Sequence, residues 1–575
     1  MSKEKKLSHV EQVKDESVYL KGKVAEELAD GTAVVSDDTY ELLKFHGSYF
    51  GYNRDTATER KKAGLDKEWE FMLRMKAAGG RITAAQYLAL DGICEKYANG
   101  TLRITTRETF QFHCIVKENL KPHIAAINEL LITTLGGCGD VVRNVMCSPA
   151  PIKDPVHEKL FADADLISAH TLPKTSAYHE LWLDGENLAR KLETENYEPL
   201  YKKHYLPRKF KIAVGVPEDN SVDLLSHDLA LLQVWENGKL SGYNLYVGGG
   251  LGMTHNKAET YPRLATPIAF IEPQDLLRGV DAVVGLHRDY GDRTDRKHAR
   301  LKYVIEENGL AWTREKLEEL FGSKMADPKP MSEFKVVDHM GWHPQGDGKF
   351  YLGVPVSSGR IGDTGEIKYR SAFREIEKKY GFNIVLTADQ NIIFCDVEES
   401  QKADIAAILK AHKVPLVEEI TNLDRNFLAC VALPTCGKAL ADAERVRDPL
   451  VVDIEKVMQK HGILDEKISI RIAGCPNGCS RPYVGDIGIV GRMPGHYAMF
   501  IGGDFEGTRL STKILDRVPY ENVPNVLDIL FARYADEKSA NEGFGDYAHR
   551  IGEIVLAKNV EEKLSGEFKW AKAEV

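Results

Sequence analysis

Four cysteines in the C-terminal third, Cys430, Cys436, Cys475 and Cys479, fall in two tight pairs: Ala-Cys-Val-Ala-Leu-Pro-Thr-Cys and Gly-Cys-Pro-Asn-Gly-Cys. Four thiolates grouped in this way can wrap one iron–sulfur cube. The spacings, C-x5-C and C-x3-C, fit neither the usual C-x2-C of zinc ribbons nor the C-x2-C-x2-C run of bacterial ferredoxins. Gly474, Pro476 and Gly478 interleave the second pair, so the backbone can turn around a bulky inorganic guest. A sulfur-ligated cluster on a large chain implies delivery of electrons to a second centre.

Basic residues also gather in motifs. Lys209 and Lys211 stand in Leu-Pro-Arg-Lys-Phe-Lys; on a strand they would share one face and repel unless an anion lay between them. Arg103 and Arg107 precede Gln111 and His113, Arg143-Asn144 follows a Gly-Gly-Cys-Gly loop, and Arg293, Arg300 and Lys302 lie in the densest mixed-charge run, 288–302. Taken singly, each motif reads as a solvated charged face, and His113 as a hydrogen-bonded core histidine. Phe110, Phe112, Val145 and Phe210 flank these charges, which puts the cations at the edge of a buried site. A buried cation needs a partner, so a polyanionic ligand is expected. Tyr-Val-Gly-Gly-Gly-Leu-Gly-Met at 246–253 lacks the phosphate-loop lysine and any well-formed Gly-x-Gly-x-x-Gly. A tight turn facing a cofactor carboxylate is as good a reading of it, and electrons are expected from another protein.

With 43% hydrophobic and 28% charged residues over 575 positions, the chain reads as a globular protein of several domains. A net charge of −10 argues against general nucleic-acid binding. Nine cysteines make no disulfide scaffold; Cys94, Cys114, Cys138, Cys147 and Cys395 are expected to be buried reduced thiols. The polar N-terminus and the lack of a membrane-length apolar run predict a cytoplasmic protein.

Periodicity divides the chain into an N-terminal arm (1–70), a ferredoxin-like half-domain (71–136), a cofactor- and substrate-binding domain (137–334), a second half-domain (335–410) and a cluster-binding domain (411–575). In the first half, strand 71–76, helix 84–97 capped by Thr83, strand–turn–strand 102–116 and helix 121–135 are predicted. The second half repeats them, with strand 351–356, helix 366–379 and strands 382–387 and 391–394. Thr105-Thr-Arg-Glu-Thr-Phe-Gln-Phe aligns with Thr387-Ala-Asp-Gln-Asn-Ile-Ile-Phe, and Gly80-Arg81-Ile82 with Gly359-Arg360-Ile361. Each half reads β-α-β-β-α, and the two would pair about a pseudo-two-fold axis. A fainter echo relates 210–217 to 469–476. A linker is expected over 320–340.

The cysteine quartet, Leu-Pro-Arg-Lys-Phe-Lys, Leu-Arg-Ile-Thr-Thr-Arg-Glu-Thr-Phe-Gln-Phe-His and Glu-Gly-Phe-Gly-Asp at 542–546 resemble the sulfite/nitrite reductase family over about residues 10–555. The resemblance implies an α+β fold: duplicated ferredoxin-like halves plus two related α/β modules that enclose siroheme and a [4Fe–4S] cluster. It implies that the four cysteines hold the cluster and that Cys479 also ligates the siroheme iron. Arg103, Arg107, Arg143, Arg293, Arg300 and Lys302 become candidates for the siroheme carboxylates, with Gln111, His113, Asn144 and Gln390 as further cofactor contacts. Arg74, Arg143, Lys209 and Lys211 match the positions that line the anion pocket. The implied reaction is six-electron reduction of sulfite to sulfide, with a ferredoxin or an NADPH flavoprotein as donor. Siroheme nitrite reduction is the alternative, and Lys211, where nitrite-type relatives tend to carry Asn, favours the dianion sulfite. A non-catalytic zinc or iron–sulfur anion-binding protein would leave the basic clusters unexplained. At Asp389 relatives more often carry Asn, and a carboxylate there would be unfavourable if it faced siroheme.

Overall fold

The computed structural model describes residues 6–175 and 198–564, with the backbone of Trp182–Leu183 and Glu186–Asn187 between them. Two five-stranded sheets form the duplicated centre. The first runs in the order Ser48–Tyr52, Trp69–Arg74, Phe110–Ile115, Leu102–Ile104, Arg360–Ile361. The second runs Gly341–Pro344, Phe350–Val354, Ile392–Val397, Ile384–Leu386, Arg81–Ile82. The orders match strand for strand, and the edge strands are exchanged. Arg360 and Ile361 of the second copy pair with Arg103 and Leu102, while Arg81 and Ile82 pair with Val385 and Ile384. Each exchanged strand follows a left-handed kink, at Gly79-Gly80 and at Ser358-Gly359. A Cβ at Gly80 would lie 2.2 Å from the Leu386 carbonyl, and one at Gly359 would lie 2.4 Å from that of Ile104, so only glycine lets the crossing chains approach.

A bulge is duplicated too. Cys114 and Asp396 take positive φ at corresponding places in strands Phe110–Ile115 and Ile392–Val397, and the register slips at both. The bulge turns Cys114 outward, so this thiol is exposed, against expectation; Cys94, Cys138, Cys147 and Cys395 are buried and free. Apolar residues of both sheets, including Phe71, Leu73, Phe112, Ile384 and Phe394, share one core with Phe373 of helix Tyr369–Tyr380.

Helix Ala84–Tyr97 begins at Thr83 with a reciprocal capping box to Gln86. The next helix spans Lys117–Glu129, starting a turn before the expected 121 and carrying Pro122 in its interior. Strand Trp69–Arg74 crosses the boundary drawn at 70, and Ser48–Tyr52 of the arm extends the same sheet. The arm is therefore partly a structural member of the first half.

The other two modules also share a topology. Strands Met146–Cys147, Ile212–Gly215, Leu229–Glu236, Lys239–Val247 and Thr266–Ile271 are adjacent in that order. So are Phe427–Ala429, Ile470–Ala473, Ile487–Met493, His496–Ile501 and Thr512–Pro519. In each the first three strands are parallel and the last two are added antiparallel. A helix, Pro155–His170 or Glu444–Lys460, makes the first crossover, and Leu276–Tyr290 or Val523–Glu537 follows the last strand. The faint echo between 210–217 and 469–476 thus marks the second strand of a repeated module, the middle one of its three parallel strands. Helix Leu301–Phe321 runs into the start of the expected 320–340 linker; the remainder carries no helix, only an isolated bridge of Ala326 to Phe270, and is pinned, Asn244 exchanging hydrogen bonds with Lys329 and Lys335 donating to Pro217. Among the described residues no helix is long and apolar enough to cross a membrane.

Candidate active site

Cys430 and Cys475 follow the ends of two adjacent parallel strands, Phe427–Ala429 and Ile470–Ala473. The Gly474 N–H donates to Cys430 Sγ at 3.2 Å, and Asn477 Nδ2 to Cys475 Sγ at 3.5 Å. The Gly474 carbonyl accepts from Leu440 and Ala441, which fastens the loop after Cys436 to the second pair. A Cβ at Gly474 would stand 2.5 Å from that of Ala432; the two cysteine loops meet across this glycine. Burial, with repulsion from the other thiols of the set, raises the Cys430 and Cys436 thiols and pushes Cys475 up to about 12. Thiols raised in this way deprotonate only around a strongly cationic centre, which is the chemistry an iron–sulfur cluster supplies.

Cys479 is the exposed member of the quartet, and its thiol acts electrostatically on both Lys209 and Lys211. The two lysines precede strand Ile212–Gly215 rather than lying on it. They flank fully buried Phe210, whose backbone bridges to Val142, so the alternation anticipated for a strand holds in an extended segment. Neither ammonium has an ion pair among the described residues. Burial, reinforced by Arg208 and Arg300, lowers Lys209 to about 7. Burial, Arg107 and Lys209 itself lower Lys211 well below its ordinary value.

Arg143 joins them. Its Nε donates to the Gly139 carbonyl at 2.8 Å, and it hydrogen-bonds Tyr49. Arg74 Nη1 reaches Cys138 Sγ at 3.5 Å, leaving its buried Nε without a partner. Arg107 touches His227 Nε2 at 3.1 Å and the Asn144 carbonyl, and its buried Nε is also unpartnered. Burial holds Arg107 down, to about 9. Among the described residues no ion pair to a carboxylate reaches Arg74, Arg107, Arg143, Lys209 or Lys211, and a set of cations with donors to spare suits a polycarboxylate macrocycle.

Other expected cofactor contacts already have protein partners, although His113 Nε2 and Gln390 Oε1 stay buried and unpartnered. Arg103 pairs with Glu444 at 2.9 Å and donates to the Ala429 carbonyl. Glu444 also binds Arg360, opposite Arg103 in the exchanged pairing. Arg300 pairs with Asp228 at 2.8 Å, and Asp228 accepts the Lys211 N–H, so Arg300 acts on the pocket through the backbone of Lys211. Lys302 donates to the Gly250, Gly252 and Tyr261 carbonyls and thereby shapes the glycine loop, which meets the cysteine loop where Met253 N–H donates to the Pro476 carbonyl. Asn144 is held by the backbone of Ala77, Arg107 and Glu108. Gln111 donates to Met72 Sδ, buried His113 accepts from Arg360, and Gln390 Nε2 reaches the Ser358 carbonyl. The structure does not bring Arg293 to the pocket: it binds Glu11 and the Tyr205 carbonyl and anchors the N-terminal helix.

Sequence reasoning missed Arg481. Its Nη1 donates to the carbonyls of Thr106 and Ala388, both at 3.2 Å. These residues occupy equivalent turns of the two half-domains. Thr106 Oγ1 in turn donates to the Cys479 carbonyl at 2.8 Å. Arg481 also joins Asp389 at 2.9 Å and Asp223, which binds Arg471. The Asp389 carboxylate is thus committed to a protein cation. The signal for Arg481 lay two residues beyond the last cysteine.

Comparison with known proteins agrees with this geometry. The nitrite and sulphite reductase 4Fe-4S domain matches residues 162–325 and 421–568, and the nitrite/sulfite reductase ferredoxin-like half domain matches 66–130 and 343–412. The sulfite reductase [NADPH] hemoprotein beta-component of Methylobacterium nodulans is 44% identical, covering 96% of this chain and 92% of that protein. The sulfite reductase [ferredoxin] of Synechococcus elongatus is 42% identical, covering 95% and 90%. The solved structure of Mycobacterium tuberculosis NirA superposes with a TM-score of 0.78 over 96% of this chain and 97% of that one at 23% identity, which shows the shared fold. The repeated half-domains, the paired α/β modules and the cysteine quartet are therefore those of the nitrite and sulphite reductase family, to which this chain belongs.

Proposed function

We propose that the chain reduces sulfite to sulfide, using siroheme beside a [4Fe–4S] cluster held by Cys430, Cys436, Cys475 and Cys479. Siroheme and the cluster, when bound, supply the iron that receives sulfur and the route by which electrons reach it. Arg74, Arg107, Arg143, Lys209 and Lys211 supply the anion pocket, and Cys479 stands between the cluster site and that pocket. The observation that carries this reading is the Lys209–Phe210–Lys211 segment: two half-buried ammonium groups without ion pairs among the described residues, beside the one exposed cysteine of the quartet.

Sulfite requires six electrons and seven protons to become hydrosulfide and three waters. Each oxygen leaves as water, so a donor must stand where it departs. Burial, reinforced by neighbouring cations, lowers Lys209 to about 7 and Lys211 well below its ordinary value. An arriving dianion favours the charged form of both, so proton uptake accompanies substrate binding and leaves protons beside the departing oxygens. The guanidinium groups cannot give up protons at working pH; they hold and polarise S–O bonds. Lys211 adds a charge that suits a dianion over monoanionic nitrite. Relatives include both NADPH-linked and ferredoxin-linked proteins, and the donor here is a separate protein of one of these kinds. Free thiols and a labile cluster fit the reducing cytoplasm.

The test is turnover with reduced methyl viologen. The expected result is sulfide formed with six viologens consumed per sulfide, and a higher kcat/KM for sulfite than for nitrite. Ammonium formation from nitrite with the higher kcat/KM would assign the chain to the nitrite branch.

A further inference from the structure

Lys76 has no role in the reading above, yet among the described residues it is the one lysine whose ammonium nitrogen is buried without a hydrogen-bond partner. It is 7% exposed. No ion pair reaches it among the described residues, and the one charged group that acts on it is another cation, Arg107. Burial lowers it to about 8, which still leaves most of it charged at neutral pH. A buried, unpaired ammonium group is strongly unfavourable, and proteins retain one where a ligand completes it.

The backbone shows where Lys76 is directed. Beyond strand Trp69–Arg74 the chain stays extended, with φ −147° and ψ 97° at Ala77. Met75, between the two basic residues, is wholly buried in the apolar core. Arg74 and Lys76 therefore share the opposite face, repeating the cation–apolar–cation arrangement of Lys209, Phe210 and Lys211. The Lys76 stem lies against the Gly-Gly-Cys-Gly loop, its Cδ 3.5 Å from where a Cβ on Gly136 would stand. That loop holds the pocket, since Gly137 and Gly139 accept from Arg143 and Cys138 accepts from Arg74. The next residue, Ala77, is fixed by two hydrogen bonds to Asn144.

We propose that Lys76 is a further anion-binding residue of this pocket, its ammonium group taking an oxyanion oxygen between Arg74, Arg107 and the 136–139 loop. This rests on the sulfite-reducing reading of the site. The oxygen belongs either to a carboxylate of the bound macrocycle or to the substrate, and the two sources give different outcomes. Lys76→Met and Lys76→Arg are compared with wild type as purified holoenzymes, for siroheme per chain by absorbance and for sulfite Kd by spectral titration. If the partner is a macrocycle carboxylate, K76M retains less than half the wild-type siroheme while the loaded fraction keeps its sulfite Kd. If the partner is the substrate, K76M retains its siroheme while the Kd for sulfite rises about tenfold or more, the loss expected for one charged hydrogen bond. K76R restores the affected quantity in either case. The proposal is overturned if K76M matches wild type in both quantities, or if K76M and K76R lose thermal stability alike with no selective change in either. A wild-type protein that binds siroheme but reduces only nitrite would contradict the functional reading and leave the siroheme outcome able to decide the role of Lys76.

Discussion

At the scale of single residues, the site is governed by which cations the protein has already satisfied. Arg103, Arg300 and Lys302 meet carboxylates or carbonyls, whereas Lys209 and Lys211 have no ion pair among the described residues and face neighbouring cations and the Cys479 thiol. The pocket is thus defined by its unspent donors. This distinction was beyond the sequence, because an arginine in a charge-rich run looks the same whether a glutamate such as Glu444 arrives from 341 residues away or not. The cysteines were legible because their chemistry needs only type and spacing. Lys211→Ala is expected to keep its siroheme and cluster while kcat/KM for sulfite falls by about a hundredfold, the scale for losing one preorganised charged donor. Viologen-linked sulfide formation, normalised to siroheme, measures this; unchanged kcat/KM would remove Lys211 from the chemistry.

At the scale of elements, the legible parts were those with local causes. Helix Ala84–Tyr97 is legible from apolar residues at helical spacing and from Thr83 as an N-cap, which the structure closes into a capping box with Gln86. The helix expected over 121–135 lies at Lys117–Glu129, and Val116 at its N-cap offers no capping side chain to mark the start. The exchanged edge strands are two residues each and leave no periodicity to read; only the repeated Gly-Arg-Ile betrayed them. One buried element carries a pH-dependent consequence. His123, on Lys117–Glu129, has no exposure, packs against Tyr97 and Phe112, and has neither ring nitrogen partnered. Burial lowers it to about 3. The unfolded chain takes up a proton near pH 6.5 while the folded chain does not. The stability linked to this group is therefore full above pH 6.5 and declines as pH falls toward 3. At pH 5.5 the loss is about 1 kcal/mol. His123→Phe should show a smaller drop in thermal midpoint between pH 7.5 and pH 5.5 than wild type; equal drops would mean that the imidazole is not held neutral.

At the scale of the whole molecule, two duplications converge on one short segment. The turns at Thr106 and Ala388, equivalent in the two half-domains, both accept from Arg481, and Thr106 holds the Cys479 carbonyl. The glycine loop of one α/β module docks on Pro476 of the other. Every repeated unit therefore contributes to placing residues 476–481, which explains why so long a chain surrounds one cysteine loop. The half-domain repeat was readable from aligned motifs. The module repeat was nearly invisible, because parallel strand order and crossover helices preserve topology without preserving side chains. The central claim is that this segment joins a cluster to a siroheme within one chain. Iron and acid-labile sulfide, assayed with the visible spectrum on one freshly purified sample, test it most directly. The account predicts siroheme absorption with about five irons and four labile sulfides per chain. A cluster stoichiometry without siroheme, despite siroheme supply during expression, or a colourless zinc protein, would contradict it.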